Sequence, residues 1–206
     1  MFLASEDTFL TLKMESEGLY KEKGSKFLAF AYPVQNEEEV KEKLELLRKK
    51  HHDARHHCYA YILGKNQELY RANDDGEPNH SAGDPILGQI RSNQLTHVLI
   101  VVVRYFGGTK LGVGGLITAY KTAAAQSIAN NEIITAVLQE KVKIDFEYLR
   151  MNEVMKLIKD YELQIIDQHF DNQCQIIIEV RQKLLDDLTH KISDLEGVKM
   201  HVLREN

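Results

Sequence analysis

The sequence contains little cysteine and no long apolar segment. Only two cysteines, Cys58 and Cys174, occur in 206 residues, and they fall in different candidate domains. This argues against the disulfide framework that holds many small secreted proteins together. No run of about eighteen apolar residues is present to form a membrane-spanning helix, and the first residues lack the basic and apolar regions of a secretory signal. These absences predict a cytoplasmic protein.

The sequence also lacks an excess of positive charge. Its formal net charge is −5, from 26 basic and 31 acidic side chains, so no overall attraction to nucleic acid is expected. Any binding to nucleic acid must come from a local basic cluster and should be salt-sensitive. The candidate members of that cluster are Lys26, Arg55, Arg104, Lys110 and Lys121.

The most informative segment is an apolar run that leads into a glycine-rich loop. Residues 97–103 predict a strand buried on both faces, which Arg104 ends. Five glycines follow within nine residues: Gly107, Gly108, Gly112, Gly114 and Gly115. Glycine permits positive φ and close backbone approach, and the free N–H groups that open the next helix favour phosphate or carboxylate. With Arg104 and Lys110 beside it, the loop predicts an anion-binding site, although a turn that needs glycine for packing alone remains possible.

Neither of the common nucleotide-binding motifs is present. The spacing from Gly107 to Gly112 matches a P-loop, but Val113 stands where that motif requires lysine. The dinucleotide fingerprint would need a third glycine where Ile117 stands. The sequence therefore supports neither a P-loop NTPase nor a Rossmann enzyme.

A second loop, residues 73–85, is acidic and contains two of the three prolines. Its four carboxylates belong to Asp74, Asp75, Glu77 and Asp84. They could hold a hard cation, supply an acid–base pair or form a solvated turn. No EF-hand spacing is present, and we do not assign a metal site here. Ser81 or Asp84 is expected to cap a helix that runs to about residue 92, with Pro85 in its first turn.

Residues 51–58 include six side chains that can bind metals. His57 and Cys58 are adjacent on a predicted strand and should point to opposite faces, and no cysteine pair at zinc spacing accompanies them. We interpret the histidines as structural groups at the end of a helix, where positive charge is favourable to the helix dipole. No metal is expected.

Other patterns predict the order of helices and strands. Residues 10–32 are expected to form one or two strands, with a turn at residues 23–26. A helix should begin after Asn36, because Glu39 completes a capping box and apolar residues follow at helical spacing. Beyond residue 132 the pattern is strand, helix, strand, strand, helix, strand, which suggests a ferredoxin-like domain.

The two loops together resemble the signature of the IMPACT/YigZ family. The resemblance rests on residues 74–78, residues 82–87 and residues 103–116, which stand in the family's order. Residues 23–29 resemble its first hairpin and residues 56–61 its central strand. The sequence departs from the family pattern at His80-Ser81, Asp84 and Thr118, which reduces the positive charge around the proposed anion site.

The resemblance implies an α+β fold with two domains. Residues 1–132 would form an N-terminal ribosomal-protein domain 2-like α/β sandwich. Residues 133–206 would form a ferredoxin-like βαββαβ domain that resembles a domain of elongation factor G. Such a likeness of fold does not by itself establish function.

The resemblance also implies a non-enzymatic regulator or binding protein of translation, whose eukaryotic relatives restrain a translation-control kinase under amino-acid stress. The expected partner is RNA, the ribosome, a translation factor or another phosphate-bearing ligand, with no cofactor and no membrane. The expected ligand-binding residues are Asp74, Asp75, Gly76, Glu77, Pro78, Arg104, Tyr105, Phe106, Gly107, Gly108, Thr109, Lys110, Gly112, Gly114 and Gly115.

Two other functional classes remain open. A magnesium-dependent enzyme acting on a phosphorylated or nucleotide ligand would use the carboxylates of residues 74–77 for the metal or as a base. In that enzyme Arg104 and Lys110 would bind the phosphate. A protein–protein adaptor would use Tyr105 and Phe106 as an exposed aromatic anchor. The mixed charge and the missing nucleotide motifs favour the binding protein.

Overall fold

The computed structural model describes residues 7–171 and 173–203. The chain divides into two compact units. We call Phe9–Ala136 the N-terminal unit, and the described residues up to Thr8 and from Val137 onward the C-terminal unit. The division lies a few residues beyond the boundary expected after residue 132, because the strand that follows residue 132 pairs with the first of the described strands.

Seven strands and three helices of the described residues lie in the N-terminal unit, apart from Thr8 and Val137 at the outer ends of the first and last of these strands. They are β1 (Thr8–Leu12), β2 (Ser16–Glu22), β3 (Ser25–Pro33), α1 (Glu37–Lys50), β4 (His56–Leu63), β5 (Leu69–Asn73), α2 (Gly83–Ser92), β6 (Val98–Tyr105), α3 (Gly112–Ala129) and β7 (Ile133–Val137). Three strands thus replace the one or two expected over residues 10–32. The hairpin turn between β2 and β3 lies where it was predicted, with positive φ at Lys23 and Gly24.

A five-stranded antiparallel sheet with the order β2-β3-β6-β4-β5 forms the centre of this unit. Helices α2 and α3 cover one face, where Ile100 and Val102 are fully buried. Helix α1 covers the other face, where Val101 and Val103 are fully buried. The nearly continuous apolar sequence of β6 follows from this placement, because a strand covered on both faces needs apolar residues at every position. The predicted α/β sandwich is confirmed.

Helix α1 begins where the capping pattern predicted. The side chain of Asn36 accepts a hydrogen bond from the backbone N–H of Glu39. The carboxylate of Glu39 accepts from the N–H of Gln35 rather than of Asn36. The apolar stripe of the helix is buried against the sheet.

The C-terminal unit has the predicted ferredoxin-like order. Its elements are β8 (Gln139–Glu147), α4 (Met151–Asp160), β9 (Gln164–Phe170), β10 (Gln173–Arg181), α5 (Leu185–Ser193) and β11 (Lys199–Leu203). The sheet order is β11-β8-β10-β9, with all neighbours antiparallel. Val142, Ile144 and Phe146 are buried between more exposed charged residues, as expected for a strand with one face on a core.

Both cysteines are buried and neither forms a disulfide. Within the described ranges, no helix is both long enough and apolar enough to cross a membrane.

Candidate anion-binding cleft

One cleft in the N-terminal unit brings the acidic and glycine-rich loops together. Its volume is about 890 Å³, within the range of cavities that bind small ligands. A third wall comes from residues 53–55, in the turn between α1 and β4, and from His56, the first residue of β4. Seven of the expected ligand-binding residues line the cleft: Glu77, Pro78, Arg104, Tyr105, Phe106, Lys110 and Gly112.

The other eight expected residues do not line it. They are Asp74, Asp75, Gly76, Gly107, Gly108, Thr109, Gly114 and Gly115. For several of them the structure gives a definite role in building the two loops.

Asp74 caps helix α2 from outside the helix. One carboxylate oxygen accepts hydrogen bonds from the backbone N–H groups of Ala82 at 2.9 Å and Gly83 at 2.8 Å. The other oxygen accepts from the N–H of His80 at 2.9 Å. The expectation that Ser81 or Asp84 caps this helix was wrong, because the cap residue is Ala82 and the backbone N–H groups of Ala82 and Gly83 donate to Asp74 instead. Such capping bonds typically stabilise a helix by about 1 kcal/mol.

Asp75 and Gly76 form the turn of the acidic loop. One oxygen of the Asp75 carboxylate accepts a hydrogen bond from the backbone N–H of His57 at 2.6 Å, and Gly76 has a φ of +84°. Backbone N–H groups therefore occupy both carboxylate oxygens of Asp74 and one oxygen of Asp75. In the part of the chain that the structure describes, no three His, Cys, Asp or Glu side chains are grouped to hold a metal ion.

Glu77 and Arg104 form a buried ion pair below the cleft. Nη1 of Arg104 donates to Oε1 of Glu77 at 2.6 Å, and the two residues are only 7% and 8% exposed respectively. The hydroxyl of Tyr120 donates to the same carboxylate oxygen at 2.8 Å, and burial raises the pKa of that hydroxyl. Arg104 thus does not supply the net positive charge expected from the sequence, because a cation this deeply buried requires a counter-charge.

The positive charge of the cleft comes instead from Arg55 and Lys110. Both side chains line the cleft and are exposed, and neither forms an ion pair with another described residue. Helix α3 begins beside them at Gly112. Its N-cap residue, Leu111, gives no side-chain hydrogen bond, and its first turn contains no acidic residue. The first N–H groups of this 18-residue helix and its positive dipole end therefore have no negative side chain to satisfy them.

The five glycines differ in what the fold requires of them. A Cβ on Gly107 would lie 1.9 Å from the carbonyl carbon of Gly24, so close packing against the β2–β3 turn requires glycine there. Gly108 and Gly112 have φ values of +88° and +71°, where other residues are strained. A Cβ on Gly114 would meet nothing within 4 Å. Close packing therefore explains glycine at Gly107 and backbone conformation explains it at Gly108 and Gly112, whereas packing does not require glycine at Gly114.

Of the two aromatic residues in the expected anchor, only Phe106 is largely exposed. Its exposed fraction is 57%, and its ring centroid lies 5.5 Å from the guanidinium carbon of Arg104. The Tyr105 hydroxyl donates to Asp53 at 2.9 Å and lies 3.0 Å from Nδ1 of His51. Tyr105 is therefore fixed against the end of α1, and Phe106 remains available to a ligand.

Sequence reasoning missed part of the cleft. Its wall also contains Asp53, Ala54, His56, Leu111, Val113 and Leu116, and Tyr120 lies beneath it as the second partner of Glu77. Several of these positions lie in segments that resemble the family, but none of them was expected to bind a ligand. The helical spacing of Leu116 and Tyr120 indicates that both lie on the inner face of α3. The spacing does not indicate that Glu77 is the hydrogen-bond partner of Tyr120.

His51 is the C-cap of α1, which confirms that it lies at the end of a helix. The expected benefit to the helix dipole does not follow, because burial lowers the pKa of the His51 side chain. Burial also lowers the pKa of His57. The charge of Arg48 adds to this lowering of the pKa, whereas the carboxylate of Asp75 opposes it. Nε2 of each ring is buried without a hydrogen-bond partner.

We expect acid to destabilise the protein between the histidine pKa of unfolded chains, about 6.5, and the lower values in the folded state. The unfolded chain binds protons more readily in that interval, so stability is complete above pH ~6.5 and falls as the pH decreases. The free energy of unfolding, obtained from urea denaturation at pH values from about 8 to 5, should fall by up to roughly 1.4 kcal/mol per pH unit for each such histidine. His57→Leu should flatten the profile; an unchanged slope would contradict the role of His57.

The fold and the cleft define the chain as a two-domain α+β protein with a cationic, glycine-rich cleft in its N-terminal unit. The model of the Impact N-terminal domain matches residues 23–128, which include both loops. The chain belongs to the IMPACT family.

Relatives and a solved structure agree with this assignment. The chain is 27% identical to the IMPACT family member YvyE of Bacillus subtilis, over 95% of this chain and 90% of that protein. It is 30% identical to an IMPACT family member of Haemophilus influenzae, over 84% of each. A solved structure described as that of a hypothetical protein has a TM-score of 0.74, covers 98% of this chain and all of its own length, and is 24% identical. That structural similarity supports the two-domain α+β fold.

Proposed function

We propose that this protein binds RNA through the cleft and acts in translation without catalysing a reaction. The observation that carries the proposal is the position of Arg55 and Lys110, two exposed cations without ion pairs, beside the uncapped start of α3. Helix starts with free N–H groups bind phosphate, and nearby lysine and arginine side chains strengthen that binding. The context of translation rests on the family resemblance.

The acidic loop supports binding rather than catalysis. The carboxylate oxygens of Asp74 accept three backbone hydrogen bonds, Asp75 accepts from His57, and Glu77 is paired with Arg104. A magnesium-dependent enzyme would need at least one of these groups for a metal or a proton. Each already has a structural role, so the enzyme is the weaker alternative.

The overall charge supports a local mode of binding. With a net charge of −5, the protein as a whole repels a polyanion, whereas the cleft offers two unpaired cations beside a helix start. RNA binding should therefore be moderate in strength and confined to few phosphates. A protein partner is the competing occupant, because the exposed ring of Phe106 would suit one equally well.

We expect the double variant Arg55→Ala/Lys110→Ala to bind single-stranded RNA roughly tenfold less tightly than the wild type. Two exposed charge contacts contribute about 0.7 kcal/mol each, and 1.4 kcal/mol is a factor of ten. The slope of log K against log salt should decrease by about 1.4, since each lost phosphate contact removes about 0.7. Fluorescence anisotropy of a labelled RNA over a KCl series measures both quantities.

The matched control is Lys41→Ala/Lys156→Ala, which removes the same charge at exposed positions outside the cleft. We expect its affinity and salt slope to stay close to those of the wild type. Equal losses in both double variants would show that binding is non-specific. The absence of RNA binding at low salt, in a protein that circular dichroism shows to be folded, would contradict the proposal.

A further inference from the structure

Phe106 has an unusual position for a large apolar side chain. It follows the last residue of β6 and is 57% exposed at the wall of the cleft. Scattered exposed apolar residues are common on proteins, but this ring lines a concave cleft together with the two unpaired cations. The position of Phe106 therefore suits a ligand that has both an apolar face and negative charge.

The ring is held in place by a fixed support. The guanidinium carbon of Arg104 lies 5.5 Å from the centroid of Phe106 and 5.4 Å from that of Phe27, which is fully buried. The ion pair with Glu77 keeps the guanidinium in position. Two rings and one cation are thus arranged by the core of the domain, and such pre-organisation lowers the entropy lost when a ligand binds.

The walls of the cleft offer different kinds of contact to a ligand. Phe106 offers an aromatic surface, whereas Arg55, Lys110 and the start of α3 favour an anion. A nucleotide carries both a planar base and a phosphate, the two kinds of group that these walls favour. Bases in single strands stack on aromatic side chains, and each such contact contributes substantially to affinity without a strong sequence preference. In a duplex the bases are already stacked on one another, and the double helix is too wide to enter a cleft of this volume.

On the basis of the proposed function, we infer that the cleft binds one or two unpaired nucleotides of single-stranded RNA, with a base stacked on Phe106 and a phosphate near Arg55 and Lys110. The protein would then select unpaired segments of structured RNA rather than helices. The specific role of Phe106 separates this inference from RNA binding in general, which requires only the cations.

The absence of tryptophan from the chain allows a direct test. A short single-stranded RNA that contains the fluorescent base 2-aminopurine can be excited with little interference from the protein, and stacking quenches its fluorescence. We expect the wild type to quench the probe. Phe106→Leu should abolish most of the quenching and weaken binding about tenfold, and Phe106→Tyr, which keeps the ring, should restore both.

Three comparisons separate this inference from the proposed function. The salt slope of Phe106→Leu should equal that of the wild type, because no charge is lost, and a duplex of the same length should bind at least tenfold more weakly. Wild-type affinity in Phe106→Leu, or equal affinity for the duplex, would overturn the inference while leaving RNA binding in place. Failure of the folded wild type to bind either RNA would overturn both and leave a protein as the partner of Phe106.

Discussion

Replacing Glu77 with leucine should destabilise the N-terminal unit by about 3–5 kcal/mol, the usual cost of removing one partner from a buried ion pair. Arg104 would keep its charge inside the domain without a counter-charge, and Tyr120 would lose its acceptor. A typical domain is stable by about 5–15 kcal/mol, so the loss would be a large fraction of the total. Urea denaturation followed by circular dichroism measures it.

A double-mutant cycle isolates the interaction. Arg104→Leu alone should cost a similar amount, because it leaves the Glu77 carboxylate buried and unpaired. The double variant Glu77→Leu/Arg104→Leu should lose clearly less than the sum of the single losses, since no unpaired charge remains. Strictly additive losses would show that the two side chains do not stabilise each other.

The ion pair also connects stability with the cleft. Arg104 supports the ring of Phe106 and is itself held by Glu77. The family resemblance led us to expect that Glu77 and Arg104 bind the ligand directly. Their contacts favour a different role, in which the two residues position the groups that face the ligand. We therefore expect Arg55, Phe106 and Lys110 to make the direct contacts with a ligand in the cleft.

Much of the fold could be predicted from local patterns. The continuous apolar run of β6 indicated a strand covered on both faces, and alternating residues in β8 indicated one covered face. The capping residue Asn36 marked the start of α1. These features depend on neighbours a few residues apart, which a single sequence displays directly.

The cleft was harder to predict because its contacts join distant parts of the chain. Glu77 meets Arg104 across 27 residues and Tyr120 across 43. Asp74 caps a helix from eight and nine residues away, through a loop. Charge and residue type alone made these groups look like ligands for a metal or a phosphate. The register of strands and the packing of helices decide which charges neutralise one another, and neither is visible in a motif.

In the glycine-rich loop, the contact of Gly107 with the distant β2–β3 turn could not be predicted from the sequence either. A substitution at Gly107 should have a large effect on the stability of the fold. A Cβ on Gly107 would lie 1.9 Å from the carbonyl carbon of Gly24 and 2.2 Å from the nitrogen of Ser25. These atoms belong to the backbone of a tight turn, so they cannot move aside as a flexible side chain could. We expect Gly107→Ala to cost about 3 kcal/mol, at the upper end of the usual range for overpacking.

Gly114→Ala, in the first turn of α3, is the matched control. Its methyl group would meet nothing within 4 Å, and alanine is favoured over glycine in a helix by up to about 1 kcal/mol. Thermal denaturation should therefore show a lower midpoint for Gly107→Ala and an equal or higher one for Gly114→Ala. A similar loss in both variants would mean that the loop is rigid throughout. The expected contrast would mean that glycine is needed at Gly107 so that the loop can pack against the β2–β3 turn. It would also mean that the start of α3 can be altered without loss of the fold. Variants at the start of α3 could then be tested for their effect on RNA binding alone.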